Sequence, residues 1–178
     1  MKSVSIVAIA ILCAICAPCG ASSLPPTDST LLPMSSVLDL GAVRSIFPAV
    51  TRMAETGADA TAQGSPAATR SVFYENDGGS KRVTLTVDRY GDAAGAASAF
   101  ELALKKSKVP GFKPLKVPNL GARTFGGTVT MKGVTHVGLG VLDGNFVVGA
   151  TLAGFDASSA NVSRFVSLSR AQAALSKP

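Results

Sequence analysis

The sequence predicts an α+β fold, a mainly antiparallel sheet of about five strands with helices before, within and after it. Three observations carry that expectation. Two strand-like runs are joined by Asn76-Asp77-Gly78-Gly79 and two more by Asp143-Gly144, residues that accept the positive φ of tight hairpins. Three other segments repeat their apolar residues at three- and four-residue spacing, the mark of helices with one buried face. The 178 residues, 47% apolar and 16% charged, suit one domain with its own core.

Taken in order, Leu38, Leu40, Val43, Ile46, Phe47, Val50 and Met53 predict a first helix from Ser36 through Met53. Residues 56–69 lack periodicity and mark a loop. Strands follow at Ser71 to Glu75 and Lys81 to Tyr90, where Val83, Leu85 and Val87 alternate with Arg82, Thr84, Thr86 and Asp88, so one side is buried and the other wet. Asp92 caps a second helix, Ala93 to about Ser107, with Ala96, Ala97, Phe100 and Leu104 inward, Glu101 four residues before Lys105, and Val109-Pro110-Gly111 ending it. Further strands are expected near Lys113 to Val117, Ala122 to Met131, Val134 to Leu142 and Asn145 to Phe155, and a last helix from a cap at Asp156 or Ser158 through Leu175. The helices are expected to cover one face of the sheet. Gly126, Gly127, Gly138 and Gly140 put bare backbone on it, for close helix packing or for a shallow groove.

The first residues predict export. Lys2, an apolar run from Ile6 to Ala17 and a small, helix-breaking end at Pro18, Gly20, Ala21 and Ser22 have the anatomy of a signal peptide, 1–21. The run is too short for a membrane span, which needs about 20 apolar residues, so no transmembrane span is expected after processing. All three cysteines, Cys13, Cys16 and Cys19, lie here. Cys19 therefore offers a lipid anchor as the alternative to cleavage before Ser22, although Pro18 and Cys16 depart from the pattern around an acylated cysteine. Residues 22–35, rich in Ser, Thr and Pro, read as a disordered tether, and 36–178 as the single domain. Without cysteine, that domain must be held by an ordinary core.

The succession YENDGGSKRVTLTVDRYGD, AAGAASAFELALKK, VPNLGA and GLGVLDGNFVVGATLAGFD, followed by a closing helix, resembles small secreted or lipid-anchored bacterial envelope proteins with PsbP-like sheets. The resemblance covers most of residues 36–176 and rests on element order. It implies a non-enzymatic binding or accessory domain at the cell envelope and carries over no functional residue.

Chemistry-bearing patterns are few. His136 is the lone imidazole, and neither cysteine pairs nor calcium-type Asp-rich loops offer metal ligands, so no metal or cofactor is expected. Gly-x-Ser-x-Gly, a convincing Ser-x-x-Lys and the phosphate-binding glycine loops are absent. An envelope hydrolase would have to use His136 as its base, and no spacing recommends a partner for it.

Charge is the departure from an average domain. Residues 102–142 hold Lys105, Lys106, Lys108, Lys113, Lys116, Arg123 and Lys132 and no acidic residue, whereas the rest of the chain after residue 21 holds nine basic and eleven acidic residues. Lys105 and Lys106 suit a helix C-terminus; the loop lysines have no such task. A lobe of Lys105, Lys106, Lys108, Lys113, Lys116 and Arg123 is thus the expected contact for an anionic envelope component or an acidic protein surface. Nucleic acid is not expected, because Phe112 is the only aromatic among these lysines and the compartment is wrong. The alternative function is an immunity-type or inhibitor protein that neutralises a toxin or enzyme of the same compartment.

Overall fold

A computed structural model describes residues 30–56 and 66–176. The expected signal peptide, Cys19 and most of the tether lie outside the described residues. The order is β1 (Thr30–Leu31), a 3-10 turn (Met34–Ser36), α1 (Leu40–Ile46), β2 (Arg52–Thr56), β3 (Ala68–Glu75), β4 (Arg82–Arg89), α2 (Ala93–Ser107), β5 (Lys113–Pro114), β6 (Arg123–Met131), β7 (Val134–Asp143), β8 (Phe146–Ala153) and α3 (Ser159–Leu175). All eight strands form one sheet, β1-β3-β4-β8-β7-β6-β5, with β2 also on β3. Every pairing is antiparallel except β1 with β3. The α+β class and the placing of helices before, within and after the strands hold; the sheet has eight strands, not about five.

The extra strands come from the N-terminal third. Pro48 follows Phe47, and a residue before proline is pushed out of the helical region, so α1 stops at Ile46 and Met53 falls in β2 opposite Tyr74. Residues 30–35, expected in the tether, pack onto the sheet: Leu32 is buried and its N–H donates to the Thr69 carbonyl over 3.0 Å. Buried polar side chains hold this segment. Arg70 Nε donates to the Leu32 carbonyl and the Tyr74 hydroxyl to that of Leu38. From α3, Gln172 accepts from Leu38 N–H at 3.0 Å and donates to the Ser36 carbonyl at 2.8 Å. Such pairing is what lets wholly buried polar groups be tolerated.

Strand alternation sorts the sheet into two faces. One carries Val72, Tyr74, Val83, Leu85, Val87, Val137, Leu139, Ala150 and Leu152 against α1 and α3, with Val43, Phe47, Phe165 and Leu168 completing the core. Helix α2 does not join them. Its Ala96, Ala99 and Phe100 lie on the opposite face with Tyr90, Phe125, Leu142 and Val147, so both faces are covered rather than one. The remainder of that second face mixes polar and apolar groups, with Ser71 and Thr86 hydroxyls 3.0 Å apart and Phe73 and Val129 among them. The sheet glycines serve neither a helix nor a groove alone: the ring of Phe125 occupies the place of a Cβ at Gly140, and that of Phe112 the place at Gly127.

Candidate functional site

The five lysines of the expected lobe fall between Lys105 and Lys116, at the end of α2 and along β5; the pairing of Lys113 with Thr128, itself opposite Val137, sets Lys113 on the α1–α3 side of the sheet, whereas α2 lies on the other. Helix α2 starts where Asp92 accepts from Gly95 N–H at 2.7 Å and ends with Lys105 and Lys106 in its last turn. There the C-terminal end of the helix dipole favours cations. Lys108 is the C-cap. The chain then turns tightly, with Val109 N–H donating to Ser107 at 2.8 Å, Phe112 N–H to Val109 at 3.0 Å, and Gly111 at φ +83°. Lys113 pairs with Thr128 in β5, and Leu115 N–H donates to the Gly126 carbonyl at 2.9 Å. Phe112 over Gly127 and Val117 against Gly126 pin this edge to β6. Lys105, Lys106, Lys108, Lys113 and Lys116 are all exposed, and among the described residues none takes part in an ion pair or side-chain hydrogen bond.

Arg123 stands apart from them. Its guanidinium pairs with Glu101 of α2 and lies 5.1 Å from the centroid of the Phe100 ring, which meets Phe125 edge-on at 5.2 Å. It latches α2 to β6. The spacing on α2 had offered Glu101 to Lys105; because Glu101 goes to Arg123 instead, Lys105 is left without a counter-ion. Lys132 lies in the β6–β7 turn, four residues beyond the Thr128 that pairs with Lys113, where it adopts φ 50°.

His136 sits half-buried on the second face between Val129 and Ala153. Its Nδ1 is buried with no hydrogen-bond partner among the described residues. Burial holds its pKa below the usual imidazole value, so the ring is neutral at pH 7. No group of three or more His, Cys, Asp or Glu that could hold a metal occurs among the described residues.

Two buried carboxylates on the same face were not singled out in the sequence. Burial raises the pKa of Glu75, but hydrogen bonds and charge from Arg82, then from Arg52, outweigh it and the net shift is downward. The contacts are 2.6 Å from Arg82 and 2.5 Å from Arg52, and Arg82 also lies over the Phe73 ring at 4.5 Å. Asp88 has no such cation. Burial pushes its pKa up to about 6 against one opposing hydrogen bond, from the Thr69 hydroxyl at 2.5 Å. Their burial follows from strand pairing, Glu75 with Arg82 and Asp88 with Thr69, which no local spacing reveals.

Two hollows lie away from the lysines. One of about 430 Å³ is lined by Met34, Val37, Leu38, Ala42, Met53 and Leu175, and one of about 310 Å³ is bounded by the β7–β8 turn and the end of α3.

No protein-family model matches the chain, so the PsbP-like resemblance has no family model behind it, and no curated protein matches. Among solved structures, the extracellular domain of PknH from Mycobacterium tuberculosis aligns with a TM-score of 0.44 at 9% sequence identity, over 79% of this chain and 93% of that one.

Proposed function

We propose that the chain is an exported, non-catalytic binding domain of the cell envelope, which contacts an anionic partner through Lys105, Lys106, Lys108, Lys113 and Lys116. One observation carries this reading: these five cations are exposed and uncommitted, while Arg52, Arg70, Arg82 and Arg123 each have a partner inside the fold. Burial or pairing explains the presence of these four arginines, whereas Arg44, Arg89, Arg164 and Arg170 are exposed like the lysines but scattered along the chain. Nothing in the fold uses the lysines beyond the helix-end charge of Lys105 and Lys106. With no acidic residue between 102 and 142, their potential is not cancelled along the chain, and it attracts anions over roughly a Debye length, about 8 Å at physiological salt.

The test is a Lys108→Glu, Lys113→Glu, Lys116→Glu triple variant, followed through cell fractionation and co-purification. The reading expects the variant to leave the envelope fraction or lose its co-purifying partner. Unchanged retention would overturn it.

A further inference from the structure

We infer that the anionic partner is a lipid bilayer surface; this rests on the reading just given and narrows it. The lobe is built from lysine alone. An ammonium group is a compact point charge without the planar fork by which arginine grips a single carboxylate or phosphate in two places, so five of them suit a diffuse field of headgroups better than one docked acidic side chain. Arg123, which could supply that fork, is spent on Glu101. The same pair removes the one acid that precedes the lysines on α2. What remains toward solvent from Leu102 to Leu142 is charge of one sign.

Apolar groups stand among the charges. Leu102 is 39% exposed and lies one turn before Lys105 and Lys106, on the neighbouring position of the same helix. Pro110 and Pro114 are exposed between the lysines of the turn and β5, and Pro118 is exposed just after Lys116. Apolar side chains interspersed with lysines favour an interface that is charged at the headgroups and oily just below. Shape agrees with this. Neither hollow is lined by any of the five lysines, and the lobe lies at a helix end and a sheet edge, which can meet an extended surface without enclosing a ligand.

The chain purified after export would be sedimented with vesicles of phosphatidylcholine alone, with vesicles that also contain phosphatidylglycerol, and with poly-glutamate beads. Binding confined to the phosphatidylglycerol vesicles, and lost as salt rises, is the expected result. A Lys105→Gln, Lys108→Gln, Lys113→Gln variant should bind about a hundredfold more weakly, at roughly fivefold per lysine near an anionic leaflet. Leu102→Ser should weaken vesicle binding severalfold while leaving elution from a sulfonated resin unchanged, and both variants should keep the parent melting curve. Binding to poly-glutamate but not to vesicles overturns the lipid inference and leaves the broader reading standing. Binding to neither overturns both, and equal binding to neutral vesicles overturns the role of the lysines.

Discussion

The two edges of the sheet treat their cations in opposite ways. At the edge formed by β1 and β2 on β3, Arg70 is buried and donates to the Leu32 carbonyl, while Arg52 and Arg82 converge on Glu75. At the β5 edge, Lys113 and Lys116 are exposed without ion-pair partners among the described residues, as are Lys105, Lys106 and Lys108 before them in the chain. Both edges carry cations, yet one uses them to close the fold and the other leaves them available. Net charge alone therefore says little about this protein. Where a cation's counter-ion sits separates a structural residue from a candidate contact.

The comparison breaks first at Glu75. Glu75→Gln leaves Arg82, largely buried, without its carboxylate, and is expected to cost about 3 kcal/mol. For a domain of this size that lowers Tm by roughly 6–12 °C in a thermal melt. The depressed pKa of Glu75 fixes the sign with pH: its contribution is full above the unfolded-state value and fades as pH falls through the lower, folded one.

Asp88 runs the other way. Its folded pKa of about 6 exceeds the ordinary 3.8, so the native state binds the proton more tightly than the unfolded chain does. Stability is thus lost as pH rises from about 4 to about 6. Asp88→Asn should raise stability on the order of 2 kcal/mol at pH 7 and flatten the dependence in that window. A denaturant series at both ends of the window reads this directly. Loss of stability in the variant at pH 7 would show that the charged form is the one the fold prefers.

Gly127→Ala tests how firmly the lysine edge is attached. A methyl there meets the Phe112 ring and the Lys113 carbonyl; a cost of about 1.5 kcal/mol is expected, within the usual range for overpacking. Hydrogen exchange should quicken at Leu115, whose amide bonds to Gly126. The smallest effect is expected at the lysines themselves. Changing Lys105, Lys108, Lys113 or Lys116 singly to Gln should move stability by less than about 0.5 kcal/mol. A larger loss from any one of them would mean that it has a task in the fold after all.

The bounds of helix α2 were legible because their signals are local, the Asp92 cap and the proline and glycine that follow; its inner stripe was legible in part, Ala96 and Phe100 being buried with Ala99 and Ala103 rather than with Ala97 and Leu104. The hairpins at Asn76 and Asp143 were legible for the same reason. Helix α1 was overextended since Val50 and Met53 keep helical spacing from Phe47, although Val50 is buried from a turn and Met53 half-buried from a strand. Strands β1 and β2 were missed because a two-residue strand and the run Arg52–Thr56 have no alternation to show, and their existence depends on β3. The lysine lobe was visible as composition. Its separation from Arg123 was not, because the Arg123–Glu101 latch joins elements 22 residues apart. Gln172 gave a faint signal, since it follows Phe165, Leu168 and Ser169 on the buried stripe of α3; its partners, more than 130 residues away, could not be guessed.

That last connection bears on timing. The Ser36 carbonyl and the Leu38 N–H find their partner in Gln172, and β4, already flanked by β3, finds its second neighbour in β8. Synthesis proceeds from the N-terminus, so the centre of the sheet and the seat of the first helix both wait for the last quarter of the chain. A nascent chain of this sequence stays short of its native structure until almost all of it has left the ribosome. That delay suits any route across a membrane that accepts only unfolded protein.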